Sequence, residues 1–228
     1  MHYVFQFGVV RDNWQTLAEG ALNTLWMSVA AFVLGLAFAV ICVFARASGF
    51  APLQFAVRVY VEVIRNTPLL VQLFIVYFSL PSVGIRLDAD EAAVLGLALN
   101  FGGYAVEILR SGIEAVPRGQ VEAAIALGLR KLRIFRHIVL YPAVQVSYPS
   151  LASQFILILL GSSVVSAISA EELTSIVNSL QSTTFRSFEF YFAALFIYLG
   201  MAALARLVLD GVYWAGFVRG RPPVGARG

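Results

Sequence analysis

The strongest constraint on this chain is a series of long apolar segments separated by short charged stretches. The first segment, Ala21–Phe44, contains no charged residue and exceeds the about 20 apolar residues that cross a bilayer core. Hydrophobic residues make up 60% of the chain, charged residues 13%, and the mean hydropathy is +0.82. Soluble domains are about half apolar and about a quarter charged. The sequence therefore predicts an all-α integral membrane protein, with residues 1–228 as one domain.

Five segments are predicted to cross the membrane. The second is the shortest, because Glu62 and Arg65 precede it and Pro81 closes it. The chain enters it through an amphipathic stretch at residues 51–67, and Pro68 fits the first turn of its helix. The predicted crossings are Ala21–Phe44, Pro68–Leu80, Glu91–Arg110, Val146–Ser166 and Phe190–Val212.

Basic residues are distributed unequally between the two sides of these crossings. If the connection at residues 111–145 is cytoplasmic, 13 of the 16 basic residues lie inside or at inner helix ends. The positive-inside rule then predicts an outside N-terminus and a cytoplasmic C-terminus. The inner residues are Arg46, Arg58, Arg65, Arg110, Arg118, Arg130, Lys131, Arg133, Arg136, Arg206, Arg219, Arg221 and Arg227, and the outer ones are Arg11, Arg86 and Arg186. Acidic residues predicted for the outer loops are Asp88, Asp90, Glu91, Glu171, Glu172 and Glu189.

The cytoplasmic connection at residues 111–145 is predicted to contain two short helices. Pro117 and Gly119 break the helix of the third crossing. Residues 120–127 then form the first short helix, and Gly128 is a natural stop at its C-terminal end. The connection thus displays a small helix next to a glycine bend on the inner surface.

The second loop helix is predicted to start at Leu129 and to end at Pro142. In the first short helix, at residues 120–127, Glu122 is predicted to lie in the first turn, where a carboxylate is favourable at the positive end of the helix dipole. The apolar face of the second helix would be Leu129, Leu132, Phe135, Ile138 and Val139, and its basic residues are Arg130, Lys131, Arg133, Arg136 and His137.

Two interpretations of this connection remain open from its residues. An interfacial amphipathic helix held by anionic lipid explains the second helix well. It does not explain the first one, because Ala123, Ala124 and Ala126 give a small-residue surface. Such a surface binds lipid poorly but lets another protein approach closely.

The connection also resembles a motif of a known family. The residues Glu122, Ala123, Ala124, Gly128, Phe135, Ile138 and Pro142 resemble the EAA loop of binding-protein-dependent ABC importer permeases. Further positions resemble the polar amino acid subfamily of these permeases: residues 62–74, Asn100, Tyr104, Glu107, Arg110, Gly119, Gln120, residues 162–166, Glu172 and Leu173. The resemblance covers roughly residues 24–209.

The resemblance implies a type I importer permease with a cytoplasmic coupling helix seated in a groove of an ABC ATPase subunit. The residues it assigns to ATPase coupling are Glu122, Ala123, Ala124, Gly128, Phe135 and Pro142. It implies a multi-pass subunit of the bacterial inner membrane that translocates a polar amino acid. Its partners would be an identical or homologous second permease, two ATPase subunits and an extracytoplasmic solute-binding protein, with no nucleic acid.

The chain lacks the residues for ATP hydrolysis or for metal chemistry. A P-loop requires a glycine-rich stretch ending in Gly-Lys-Ser or Gly-Lys-Thr, and the single lysine, Lys131, follows Arg130. His2 and His137 have no ligand cluster around them in the sequence. Cys42 cannot form an internal disulfide and is expected to be a buried small residue. No catalytic residue, metal or cofactor is therefore predicted.

Polar residues within the apolar crossings are the candidates for a substrate pathway, since such groups are costly in a membrane. Three of them share one helical face of the third crossing by their 3–4 spacing, and the others lie in the fourth. These candidates are Asn100, Tyr104, Glu107, Ser150, Gln154 and Ser163.

Each candidate also has a structural interpretation. Glu107 can pair with Arg110 one turn further along, and membrane serines often bond to their own backbone or to a neighbouring helix. Members of the resembled family frequently carry a lysine before the serine cluster, where this sequence has Leu160 and Gly161. A fixed cationic partner for a substrate carboxylate is therefore not identified from the sequence.

Two function classes follow. The first is the membrane permease of an ATP-driven importer. The alternative is an ion-driven secondary transporter or another small-solute membrane protein. Secondary transporters usually carry internal repeats and broken helices, and this sequence of 228 residues contains no convincing repeat.

Overall fold

The apolar segments form long helices, as their composition requires. The computed structural model describes residues 3–218, and the regular structure in that range is helical. Four continuous helices in it are long and apolar enough to cross a membrane, and a bent pair raises the number to five. The predicted all-α membrane fold is confirmed. The helices are α1 (Gly8–Asp12), α2 (Trp14–Ala47), α3 (Ala51–Arg65), α4 (Leu69–Phe74), α5 (Ala89–Glu114), α6 (Arg118–Ala126), α7 (Lys131–Ile134), α8 (Leu140–Gly161), α9 (Leu173–Thr184) and α10 (Ser187–Tyr213).

Four residues used in the sequence predictions lie outside the described residues: His2, Arg219, Arg221 and Arg227.

Shorter helical turns complete the described elements. They are the π-helical turns Ile75–Ser79, Phe135–Val139 and Trp214–Val218 and the 3₁₀ turns Leu80–Val83 and Ser162–Ile168.

Helices α2 and α5 pack closely along each other at the centre of the fold. Ala31, Gly35 and Ala39 of α2 are buried at four-residue spacing, a pattern that lets two membrane helices approach each other closely. A Cβ atom on Gly35 would lie 2.6 Å from the carbonyl oxygen of Ala98 on α5. Cys42, on the same helix, is buried as predicted.

The second predicted crossing is a sharply bent pair of helical segments. Residues 51–65 and 69–83 meet at 115°. Pro68 caps α4 from outside the helix, so its predicted place in the first turn is wrong by one residue. Thr67 precedes a proline and is therefore driven out of helical geometry. The bend is consequently set by local backbone chemistry.

The amide of Gln72 holds this bend together. Its nitrogen donates to the carbonyl oxygens of Ile64 and Thr67 at 2.9 and 3.1 Å, and to the Thr67 hydroxyl at 2.9 Å. Carbonyl groups freed by a break in a membrane helix need such partners, because hydrocarbon supplies none.

The helix that contains the fourth predicted crossing begins well before residue 146. Residues 132–168 form one continuous span, so the prediction that Pro142 ends the second loop helix is wrong. Pro142 is the third residue of α8 and follows the π-helical turn at residues 135–139. A wider turn and the first turn of a helix both tolerate a missing N–H, so the proline does not stop the helix.

The same π-helical turn changes the predicted apolar face of the second loop helix. The Leu132 side chain is 78% exposed, whereas Ile134, which the regular pattern left out, is buried. Leu129, Phe135, Ile138 and Val139 are partly buried, as predicted. An extra residue in one turn rotates the residues before it relative to those after it.

Glu172, one of the acidic residues predicted for the outer loops, is fully buried. It caps α9 by accepting hydrogen bonds from the backbone N–H groups of Thr174 and Ser175, at 2.9 and 2.8 Å. The hydroxyl of Tyr198 donates to the same carboxylate at 2.7 Å. Burial raises the pKa of the Glu172 carboxyl above its ordinary value, and these hydrogen bonds oppose that rise.

A raised carboxyl pKa makes the stability of the fold depend on pH. The folded chain then keeps the proton of Glu172 to higher pH than the unfolded chain does. This contribution is complete below the ordinary carboxyl pKa and is lost as pH rises through the raised one. We expect Glu172→Gln to reduce the fall of the thermal midpoint with rising pH, whereas Glu171→Gln, at an exposed neighbour, leaves it unchanged. Parallel curves for wild type and Glu172→Gln would contradict this.

Candidate translocation site and coupling loop

A polar cavity lies between α5 and α8, near the helix ends that carry the 111–145 connection. Its volume is about 680 Å³. The hydroxyl of Ser147 on α8 donates to the carbonyl oxygen of Ile108 on α5 at 3.2 Å and joins the two walls. The lining residues are Arg65, Tyr104, Glu107, Ile108, Ser111, Gly112, Val146, Ser147, Pro149, Ser150, Ser153 and Gln154.

This cavity brings together four of the six residues predicted for a substrate pathway: Tyr104, Glu107, Ser150 and Gln154. They come from two faces, one on α5 and one on α8, that are more than 40 residues apart in the sequence. Ser150 is exposed and Gln154 is half-buried. Within residues 3–218, neither side chain makes a hydrogen bond.

The other two candidates lie outside this cavity. The amide nitrogen of Asn100 donates to Gln72 Oε1 at 2.9 Å and so joins the network that holds the bend. The hydroxyl of Ser163 donates to the carbonyl oxygen of Leu160 at 2.9 Å, the backbone bond that the structural interpretation expects. A pathway role for either residue stays a prediction.

Arg65 lines the cavity and was not among the predicted pathway residues. It is the last residue of α3, and its guanidinium carbon lies 5.7 Å from the centre of the Tyr104 ring. An arginine over an aromatic face is stabilised by the ring quadrupole. Within the described part of the chain it has no carboxylate partner. The helix break before Pro68 was the available signal, because it places Arg65 at the end of α3, next to the bend.

Glu107 forms the charged end of the cavity wall. Its predicted pair with Arg110 is confirmed, at 2.9 Å between Oε2 and Arg110 Nη2. A second arginine, Arg46 of α2, reaches Oε1 at 2.8 Å. Arg110 also contacts Glu114 at 2.6 Å. Two guanidinium groups therefore compensate one partly buried carboxylate where the ends of α2 and α5 meet.

Helix α6 carries most of the residues assigned to ATPase coupling. It begins at Arg118, two residues before the predicted start, so Glu122 lies beyond the first turn and that prediction is wrong. The reason is that Pro117 takes the position before the helix, where its fixed φ is favourable. Glu122 and Ala123 are exposed, but Ala124 is only 2% exposed and faces its own chain.

Gly128 ends α6, as predicted, with a φ of +71°. Its N–H donates to the carbonyl oxygen of Ile125 at 2.9 Å, and the N–H of Leu129 donates to that of Ala124 at 3.1 Å. This pair of bonds is a Schellman motif, which favours glycine at the left-handed position. Next to it, Ile125 and Leu127 are 61% and 79% exposed.

The last two coupling residues lie behind α6. The Phe135 ring centre is 6.0 Å from that of Phe44 on α2, and the side chain is half-buried. Pro142 is half-buried in the first turn of α8. These residues connect the loop to two membrane helices. Among the described residues, no group of three His, Cys, Asp or Glu side chains is placed to hold a metal ion.

The fold is that of a multi-pass helical membrane protein with a polar cavity between two of its helices. A family model described as "Binding-protein-dependent transport system inner membrane component" matches residues 31–213. The chain therefore belongs to the inner membrane components of binding-protein-dependent transport systems. This membership supports the first of the two function classes.

Curated relatives and a solved structure agree with this assignment. The chain is 38% identical over 165 residues to the L-cystine transport system permease protein TcyB of Bacillus subtilis, covering 72% of this chain and 70% of the relative. It is 33% identical over 195 residues to the glutamine transport system permease protein GlnP of Escherichia coli, covering 85% and 89%. "Crystal structure of an amino acid ABC transporter with histidines" matches with a TM-score of 0.87 and 32% identity, over 93% of this chain and 100% of that one.

Proposed function

We propose that the chain is the permease subunit of an ATP-driven importer that carries a polar amino acid across the bacterial inner membrane. The relatives named above for cystine and glutamine support this substrate class. The main structural support for this proposal is the polar cavity between α5 and α8. An amino acid zwitterion that leaves water needs polar groups in place of its lost hydration, and this cavity supplies them.

The polar lining also indicates what covers its open side. Ser150 and Ser153 are exposed, and the Gln154 amide has no hydrogen-bond partner within residues 3–218. Such groups are unfavourable against lipid tails, because hydrocarbon offers no partner. The open side therefore faces a water-filled path closed by a second permease subunit, either identical or homologous.

Arg65 supplies the cation that the sequence pattern lacked. A guanidinium group pairs with a carboxylate through two parallel hydrogen bonds, and Arg65 has no carboxylate partner in the described residues. In the proposed path Arg65 binds the substrate carboxylate, with Tyr104 holding its guanidinium group in place. Ser150 and Gln154 then hydrogen-bond the rest of the zwitterion, and Glu107 closes the charged end of the wall.

The exposed part of α6 docks on a cytoplasmic ATPase subunit. Ile125 and Leu127 are large apolar side chains whose exposure to water is unfavourable. They lie beside Glu122 and Ala123 on the surface. A patch of this kind marks a protein contact. The partner subunits hydrolyse ATP, and the motion reaches α2 and α8 through Phe135 and Pro142. An extracytoplasmic binding protein delivers the substrate.

Transport by purified components tests the function. The chain is reconstituted in liposomes with its ATPase and binding protein, and uptake of radiolabelled glutamine and cystine is measured. We expect uptake of at least one polar amino acid that requires ATP and the binding protein. Uptake driven by an ion gradient without ATP would instead support a secondary transporter.

We expect cysteine labelling to show an outside N-terminus and a cytoplasmic C-terminus, because 13 of 16 basic residues then lie inside. A cysteine at Ser82, which is exposed, should react with an impermeant maleimide in intact cells. A cysteine at Gly225, a position outside the described residues, should react only after permeabilisation. The native Cys42 is buried and gives a low background. The reverse labelling pattern would contradict this orientation.

A further inference from the structure

A second charged cavity lies on the other side of Glu107. It has a volume of about 350 Å³ between the end of α2, the middle of α3 and the end of α5. Five of its six lining residues are charged, which is unusual so close to membrane spans. They are Arg46, Arg58, Glu62, Glu107 and Arg110, and the sixth is Val61.

Two hydrogen bonds fix α3 in the position that forms this cavity. The amide nitrogen of Gln54 donates to the carbonyl oxygen of Arg46 at 2.9 Å and joins the start of α3 to the end of α2. The hydroxyl of Tyr60 donates to the carbonyl oxygen of Leu99 at 2.6 Å and joins α3 to α5. The cavity is thus formed before any ligand binds.

The charges in the cavity are not all paired. Glu107 engages Arg46 and Arg110, and Arg110 also engages Glu114. Glu62 also lines the cavity, and its Oε2 accepts a hydrogen bond from the amide of Asn66 at 3.1 Å.

The guanidinium group of Arg58 has neither an ion pair nor a hydrogen bond within residues 3–218. Arg46 uses one of its terminal nitrogens for Glu107. Free donors therefore remain on two arginines that line one cavity.

We propose that Arg58 and Arg46 bind the phosphate group of an anionic phospholipid in this cavity. Guanidinium groups match phosphate oxygens with paired, charge-assisted hydrogen bonds. Arg46 lies in the last turn of α2, and the ends of membrane spans lie at the level of lipid headgroups. Ile41 and Phe44, five and two residues before it, are 64% and 57% exposed and give α2 an apolar surface next to this level of the membrane.

Binding in this cavity would also affect the proposed substrate path, because the two cavities share one residue. Arg46 holds Glu107, which lines both cavities. A phosphate bound to the free donors of Arg46 shares the positive charge of this residue with Glu107, so a lipid at this site would change the electrostatics of the cavity wall. The binding step itself does not depend on which substrate is transported.

Native mass spectrometry of the full chain in detergent tests the site, with dioleoyl phosphatidylglycerol and dioleoyl phosphatidylcholine as probes. We expect wild type to retain phosphatidylglycerol in preference to phosphatidylcholine, and Arg58→Gln to lose several-fold of this preference. Arg58→Lys keeps the charge without the planar fork and should recover part of it. Arg133→Gln is the matched control, because Arg133 is exposed and unpaired in the described part of the chain.

Two further arms complete the test. Equal retention by wild type and Arg58→Gln, or an equal loss in Arg133→Gln, would overturn the proposal, since general surface charge would then explain the binding. Inorganic phosphate at millimolar concentration should not displace the lipid. Displacement of the lipid by inorganic phosphate in wild type would contradict a phospholipid ligand and would indicate that the two arginines bind free phosphate. Arg58 is exposed, so its substitution should leave folding intact, which the monomer yield checks.

Discussion

Replacing Gly128 by Asp is expected to abolish binding of the ATPase subunit while the chain still inserts into the membrane. Gly128 has a φ of +71° and ends α6 next to Leu127, which is 79% exposed. Asp tolerates the left-handed region better than most residues do, so the strain costs about 1 kcal/mol. The larger effect is a new carboxylate beside the apolar surface that we propose docks in the ATPase groove.

Gly84 provides a matched control for this variant. Its φ is +88°, and like Gly128 it has no atoms nearby that a side chain would strike. Gly84→Asp therefore introduces similar backbone strain far from α6, and it should copurify normally with the ATPase. Glu122→Lys, which reverses an exposed charge on α6, should fail to copurify, as Gly128→Asp does. Normal copurification of both loop variants would contradict the proposed docking surface.

Gln154→Leu is expected to lower uptake per assembled complex by about tenfold or more. The Gln154 amide lines the cavity and has no partner within residues 3–218, so it is free for the substrate. A hydrogen bond to a charged group contributes about 1.5–3 kcal/mol, and each 1.4 kcal/mol corresponds to about a factor of ten. Uptake and the amount of assembled complex are measured in the same membranes.

Asn100→Leu provides the comparison, because it removes a hydrogen bond inside the protein. The Asn100 amide donates to Gln72 Oε1, and Gln72 is only 8% exposed. Leaving that oxygen unpaired costs about 1–3 kcal/mol. We therefore expect the amount of assembled complex to fall in step with uptake, so that uptake per complex stays near wild type. If uptake per complex is unchanged in Gln154→Leu, that residue does not belong to the site.

The sequence predicted the features that depend on local composition. Apolar length gave the crossings, and the single glycine after an alanine-rich helix gave the end of α6, because only glycine enters the left-handed region at low cost. Pro142 was misread for the opposite reason. A proline normally ends a helix, and nothing in the spacing shows that a π-helical turn at residues 135–139 precedes it.

Contacts between distant segments could not be predicted in this way. The pair of Glu107 and Arg110 was visible at three-residue spacing, but Arg46, which is 61 residues away, was not. The hydrogen bond from Asn100 to Gln72 was not visible either, because Gln72 lies on a different helix. A helical face shows that a polar group points inward, and only the packing of the helices decides whether another side chain already satisfies it.

Chemical modification inside the cavity between α5 and α8 tests directly whether the substrate passes through it. A cysteine at Ser150, which is exposed in that cavity, is treated with a charged thiol reagent in reconstituted complexes, with and without transported amino acid. We expect that modification at Ser150→Cys blocks uptake and that substrate slows the modification, whereas modification at Ser82→Cys leaves uptake intact and is not slowed by substrate. Modification at Ser150→Cys that leaves uptake intact and is not slowed by substrate would place the path elsewhere.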